Sequence, residues 1–112
     1  MTINILFVCS RNKWRSPTAE KIYKNTSGLS VKSAGTEPSS RIKITGKLID
    51  WADIIFAMEK NHKQRLKESF PLQTSSKNII VLNITDDYEF MDQELIDIIK
   101  ISVSPYLNTI AK

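Results

Sequence analysis

Apolar residues in this 112-residue chain cluster into four short runs separated by stretches of helical or turn character. The first run, residues 3–8, is almost unbroken and rich in branched and aromatic side chains, then stops abruptly at polar residues. A strand covered on both faces reads this way. Ser16 suits a helix N-cap and Pro17 the first helical position, with Ala19, Ile22 and Tyr23 continuing the helix. Gly28 is placed to end it, and residues 29–34 alternate as a second strand does. Residues 35–41, with Pro38 and two serines, predict a loop.

Thr45 suits the cap of a short helix carrying Leu48, Ile49 and Trp51, and residues 54–58 predict a third strand. Residues 59–70 are helical in composition, and Pro71 stops them. Beyond a polar loop over 73–78, residues 79–82 predict a fourth strand. Met91, Leu95, Ile98, Ile99 and Val103 then recur at three- and four-residue steps, the pattern of an amphipathic closing helix. Asp92 suits its N-cap, and Pro105 is expected to bend or end it.

Four strands alternating with helices predict the α/β class: a three-layer α/β/α sandwich with a four-stranded parallel sheet and right-handed crossovers. Residues 1–112 are expected to form a single domain, since the length suffices for one core and not for two. Ligands of such sheets bind beyond the carboxyl ends of the strands, and Cys9 follows the first strand directly.

Composition adds charge to this picture. The net charge of +4 is unevenly spread: residues 1–85 hold 14 Lys and Arg against 6 Asp and Glu, a balance of +8, and residues 86–112 hold 2 against 6, a balance of −4. The larger part favours an anionic partner. Its lysines are dispersed and carry no nucleic-acid motif, so nucleic acid is a weaker expectation than a small anion. The single cysteine excludes an internal disulfide framework and a zinc cluster of several thiolates, and no metal or cofactor is expected. The start lacks a signal-peptide pattern and no segment is long enough to span a bilayer, so a cytoplasmic location without membrane contact is expected.

The chemistry concentrates in Cys9, Ser10, Arg11, Asn12, Lys13, Trp14, Arg15, Ser16 and Pro17. A thiol and a guanidinium close the two ends of a turn between strand and helix. Successive backbone N–H groups in such a turn make an anion-binding nest that the helix N-terminus reinforces. A tetrahedral oxyanion such as inorganic phosphate fits there, Arg15 can donate two parallel hydrogen bonds to it, and Ser16 can donate to a thiolate nucleophile. The bland alternative is a buried cysteine followed by an unrelated basic turn.

With these residues the chain resembles the low-molecular-weight protein tyrosine phosphatase family, whose loop has Cys, five residues, Arg, Ser or Thr, and Pro. Ser33, Ala34, Gly35 and Thr36 resemble the family's Ser-Ala-Gly-Thr, residues 52–58 its third strand, and Ile84 to Tyr88 its Asp-Pro-Tyr loop, with Asp87 in place of Pro. The resemblance implies a flavodoxin-like, phosphotyrosine phosphatase I-like fold and hydrolysis of phosphate monoesters, phosphotyrosine proteins among them, through a phosphocysteine. It assigns Cys9 as nucleophile, Arg15 as phosphate clamp, Ser16 as thiolate stabiliser, Asn12 as keeper of the loop's shape and Asp86 as general acid. Asp87 is the alternative acid, and Tyr88 completes the acid and substrate loop. Both acids could instead belong to an ordinary turn before the last helix.

The chain departs from the family pattern in three ways. Arg11 and Trp14 replace small residues and a second cysteine, so reversible disulfide protection is not expected. The segment between Gly35 and Ala52 is short, and no aromatic residue lies between Tyr23 and Trp51 to wall a substrate ring. Arg11 and Lys13 add cations at the loop, as substrate attractants or as solvated surface charge. Trp14 either packs on a substrate face or shields the loop. His62, amid Lys60, Lys63, Arg65 and Lys67, is expected to face solvent. Competing readings are an arsenate reductase, which would need further cysteines, and a catalytically silent module binding phosphate, a phosphopeptide or nucleic acid.

Overall fold

A computed structural model describes residues 2–110, with side chains through 108. Strands β1 (Ile3–Cys9), β2 (Leu29–Gly35), β3 (Ile54–Ala57) and β4 (Asn78–Val81) form one parallel sheet in the order β2-β1-β3-β4. Helices α1 (Arg15–Tyr23), α2 (Gly46–Trp51), α3 (Lys60–Ser69), α4 (Pro71–Thr74) and α5 (Gln93–Ile110) fill the connections and the C-terminal end. The expected three-layer α/β/α architecture with a four-stranded parallel sheet is the one observed.

Strand period 2 divides the core. Ile5, Phe7 and Phe56 pack with Ala19 and Tyr23 of α1 and Leu95, Ile99 and Val103 of α5. Leu6, Val8, Ile55 and Ala57 pack on the other face with Ile49 of α2 and Leu66 of α3. A ring stack crosses the first layer, with Phe7 centred 6.0 Å from Tyr23 and 5.3 Å from Phe56. Among the described residues no helix is long and apolar enough to cross a membrane.

Several boundaries differ from expectation. Helix α1 begins at Arg15, two residues earlier than a Ser16 cap would place it, and its N-cap residue Trp14 makes no side-chain capping bond. Ser16 is therefore inside the helix with its hydroxyl free for the loop. The helix ends at Tyr23, before Gly28, whose φ of +83° instead turns the chain into β2. Pro71 opens the four-residue α4 where only a stop and a polar loop are expected, since proline is well placed in a first helical turn. Pro105 does not end α5, which runs on to Ile110.

The sheet order places the site. From β1 the chain leaves to β2 on one side and returns to β3 on the other, so the carboxyl end of β1 is the topological switch point. Cys9 is the last residue of β1, paired with Gly35, the last of β2. Beyond them, the loop after Cys9 and residues 36–41 run side by side. The Cys9 carbonyl accepts from Thr36 N–H (3.0 Å), that of Ser10 from Glu37 N–H (2.8 Å) and that of Arg11 from Arg41 N–H (3.0 Å).

Gly35 makes this close approach possible. A Cβ there would lie 2.8 Å from the Arg11 carbonyl carbon and the Asn12 nitrogen, and 2.2 Å from Ser40 Oγ. Ser40 can rotate away, but the backbone of the loop cannot. Gly35→Ala is expected to destabilise the protein by about 1–3 kcal/mol, the usual range for overpacking, and to weaken phosphate binding as the loop is pushed off β2. Urea unfolding and calorimetric titration with phosphate check both effects; an unchanged midpoint would show that the loop yields freely.

Candidate active site

The loop over residues 10–14 is held from behind. The carbonyls of Ser10, Arg11 and Asn12 are taken by residues 37–41, with the Asn12 carbonyl accepting from Arg41 Nε at 3.3 Å. None of the backbone N–H groups of residues 10–14 donates a hydrogen bond to a protein acceptor among the described residues. With the carbonyls directed to one side, these donors are left for the other.

Asn12 sets the turn. It adopts a left-handed conformation (φ 55°), is fully buried, and its amide nitrogen donates to Ser16 Oγ (2.8 Å) and Ser33 Oγ (2.9 Å). Ser33 Oγ donates in turn to Glu20 Oε1 at 2.5 Å. Asparagine tolerates this backbone better than a bulky residue and supplies two donors from one group. Ser16 Oγ lies 2.9 Å from Cys9 Sγ. Because the Asn12 amide already donates to that hydroxyl, its own hydrogen is available to the sulfur.

Cys9 is only 3% exposed, yet it lines a pocket of about 460 Å³ with Ser10, Arg11, Lys13, Trp14, Arg15, Glu37 and Asp86. Two larger cavities lie elsewhere, one along α3 and one beside α1, and neither includes Cys9. The smaller one is lined by the thiol and by Arg15. Of the residues expected to bind phosphate, Ser10, Arg11, Lys13, Trp14 and Arg15 line this pocket, while Asn12 and Ser16 stand behind the loop.

Arg15 is 1% exposed and its guanidinium is aimed by three groups. Nη1 donates to Glu59 Oε1 (2.5 Å) and to the carbonyl of Ile84 (2.8 Å), and Nε lies 3.4 Å from Asp86 Oδ1. Nε is buried without a hydrogen-bond partner among the described residues. Such an orphaned donor beside Nη2 offers the side-on fork that a tetrahedral oxyanion satisfies.

The two adjacent acids separate. Asp86 reaches the pocket, whereas Asp87 Oδ2 accepts from Thr85 Oγ1 at 2.6 Å outside it. Tyr88 is half-buried against the core layer under α5 and does not line the pocket. The segment after Asp86 is tied to the start of α1 by Thr18, whose hydroxyl accepts from Met91 N–H (2.9 Å) and donates to the Trp14 carbonyl (2.6 Å). Among the described residues no group of three or more His, Cys, Asp or Glu could hold a metal ion.

His62 does not face solvent: it is fully buried, contrary to what its cationic neighbours in sequence suggest. It occupies the third position of α3, where its Nδ1 accepts from the N–H of the cap residue Glu59 (3.0 Å) and the Glu59 carboxylate takes the His62 N–H. That reciprocal capping box turns the ring back toward the sheet. With Nδ1 an acceptor, the proton sits on Nε2, which donates to Ser10 Oγ at 2.9 Å. Neither Glu59 nor His62 carries a signal for the site in the loop sequence. The spacing Glu-x-x-His at a helix start was the available clue, for the cap and not for the contact with Ser10 and Arg15.

At the switch point of this parallel α/β sheet, a buried thiol, loop amides without a protein acceptor among the described residues and a guanidinium lie together. The sequence model of the low molecular weight phosphotyrosine protein phosphatase family matches residues 4–49, which include this loop and β2. A protein-arginine-phosphatase of Geobacillus stearothermophilus is 35% identical, in an alignment covering 63% of this chain; the chain spans 64% of that relative's length. Among solved structures, the YwlE arginine phosphatase of the same organism superposes with a TM-score of 0.71 at 24% identity, over 96% of this chain and 94% of that one. Vibrio vulnificus Wzb in complex with benzylphosphonate gives 0.77 at 20% identity, over 97% and 99%. These structures share the fold. Over residues 4–49 the chain is thus similar in sequence to the low molecular weight phosphotyrosine protein phosphatases.

Burial, and then the Arg15 guanidinium, lower the pKa of His62 from 6.5 to about 4. Above pH 6.5 the ring is neutral in both folded and unfolded chains and adds no pH dependence. As the pH falls from 6.5 toward 4 the unfolded chain takes up a proton that the folded ring refuses, so stability declines, by at most about 3 kcal/mol. Between pH 7 and pH 4.5, the unfolding free energy of wild type should fall more steeply than that of His62→Gln. Parallel curves from urea titrations at each pH would show an imidazole titrating normally.

Proposed function

We propose that the protein is a cysteine-dependent phosphomonoesterase that acts through a phosphocysteine. The observation that carries this reading is the convergence of Cys9 Sγ, the unpaired loop amides and the orphaned Arg15 Nε on one pocket, with the Asp86 carboxylate at its rim. Ser10, Arg11, Lys13 and Trp14 form the rest of its wall, and Asn12 and Ser16 hold the loop and the sulfur.

In the reaction read from this geometry, the Cys9 thiolate attacks phosphorus, an S–P bond forms and the ester P–O bond breaks. The departing oxygen takes a proton from Asp86. Water then attacks phosphorus and gives its proton to the Asp86 carboxylate; the S–P bond breaks, releasing inorganic phosphate and the thiolate. Arg15 and the loop amides stabilise charge on the equatorial oxygens in both steps. Glu59 serves as a positioning residue, holding Nη1 so that Nε and Nη2 face the phosphoryl group.

The substrate class that suits this pocket is a protein-borne phosphate monoester such as phosphotyrosine, with Trp14 as the aromatic face in place of the missing wall in residues 36–50. A second reading, cleavage of the P–N bond of phosphoarginine, is favoured by the activity named for the Geobacillus relative and by the carboxylates Glu37 and Asp86, which suit a cationic leaving group. A single unpaired thiol needs a reducing compartment, so the cytoplasm is the proposed location, with the chain acting as one domain.

Hydrolysis of p-nitrophenyl phosphate, phosphotyrosine peptides and phosphoarginine peptides tests these assignments. Cys9→Ser is expected to lose at least about 1000-fold in kcat while still binding phosphate or vanadate. Asp86→Asn is expected to lower kcat by about 100-fold and Asp87→Asn by less than about threefold. A larger loss in the Asp87 variant would transfer the acid role to it. Oxyanion binding by wild type without turnover of any of the three substrates would replace the enzyme with a silent binding module.

A further inference from the structure

The pocket at Cys9 does not end at the loop. Lys13 lines both that pocket and a neighbouring groove of about 710 Å³ along α1, whose other walls include Lys21, Lys24, Arg41 and Phe90. All four cations are exposed, and none is in an ion pair among the described residues. The carboxylate in the groove, Glu20, accepts from Ser33 Oγ and forms no ion pair with any of them, so the lining keeps an excess of positive charge. Phe90 is 46% exposed, and Lys21 Nζ lies 5.7 Å from the centre of its ring.

We propose that this groove docks an acidic segment of the phosphoprotein whose phosphoryl group enters the Cys9 pocket, an inference that rests on the phosphatase reading above. Charge complementarity names the occupant. Three exposed lysines and Arg41, whose Nε is engaged by the Asn12 carbonyl, form no cage for a second phosphate, which calls for converging buried donors. They do form a field that attracts a row of carboxylates, and an exposed ring among them suits the apolar side chains such a segment carries. The position also supplies what the pocket lacks. No aromatic residue lies between Tyr23 and Trp51, so a substrate is gripped less around its phosphorylated side chain and more along the adjoining chain.

General basicity is separable from this role because the protein has a second basic groove, with Lys60, Lys63 and Lys67 of α3, that shares no lining residue with the Cys9 pocket. Three phosphotyrosine peptides of equal length, with acidic, neutral and basic flanks, can be titrated onto the Cys9→Ser variant by fluorescence anisotropy. The acidic peptide should bind about 10-fold more tightly than the neutral one at about 50 mM salt, with the advantage largely gone at about 500 mM. Lys21→Glu combined with Lys24→Glu should remove or reverse the preference, and Lys60→Glu combined with Lys63→Glu should leave it.

In the wild-type background the first pair should leave hydrolysis of p-nitrophenyl phosphate within about twofold, since that substrate has no flank to reach α1. Equal affinities for the three peptides, or an equal loss from the α3 pair, would overturn the proposal. Tighter binding of a single-stranded RNA than of the acidic peptide would overturn it in favour of a nucleic-acid partner. Failure of wild type to hydrolyse p-nitrophenyl phosphate would sink the phosphatase reading alone, because the binding titration judges the groove without turnover.

Discussion

Seven residues at the end of β1 can bind an anion only while their carbonyls are held away from it. The backbone bonds from residues 36–41 to the carbonyls of Cys9, Ser10 and Arg11 impose that condition. They depend in turn on β2 lying flat against β1 up to Gly35, where a side chain would strike the loop backbone. The Ser-Ala-Gly-Thr segment is thus part of the site's frame: Ser33 anchors Asn12, and Gly35 admits the loop. A nest of amides is useful only if preorganised, since donors that must reorient during reaction lose much of their electrostatic advantage.

The electrostatics follow the same logic of orientation before strength. Arg15 is buried, and an unpaired buried guanidinium is costly. Glu59 offsets part of that cost through Nη1 while capping α3, so one carboxylate serves a helix N-terminus and the buried Arg15 together. The same cap turns His62 onto Ser10, joining the first residue of the loop to the third layer of the sandwich. Both faces of the sheet therefore hold the loop: α1 through Ser16, which takes the Asn12 amide, and α3 through His62, which bonds Ser10.

The walls of the Cys9 pocket are thin in aromatic groups. The short 36–50 segment frames the loop but brings no ring to the rim, leaving Trp14 from the loop itself as the pocket's aromatic residue. The pocket is lined by cations, which continue through Lys13 into the groove along α1, and by the carboxylates Glu37 and Asp86. A charged lining of this kind orients a charged chain better than it grips a flat ring.

The α/β alternation, the parallel sheet and the positions of Cys9 and Arg15 were legible in the sequence. Strand runs, a helix start with proline and the spacing of thiol and guanidinium are local signals, and local signals survive without coordinates. Thr45 capped its helix as its side chain suggests, accepting from Leu48 N–H at 3.2 Å. Ser16 did not cap α1, because a hydroxyl within reach of both Asn12 and Cys9 has better partners than a helix end. Only motif register favoured Asp86 over Asp87 in one dimension, since which of two neighbours faces a pocket depends on how residues 84–91 lie against α1. His62 misled most: its neighbours in sequence are cations in water, whereas its neighbours in space are Ser10, Glu59 and Arg15. The chain alone determined which groups could do chemistry, because that is a property of residue type and short spacing. Only the tertiary structure decided which of them share a pocket, because residues some 44 to 69 positions from Arg15 set its orientation.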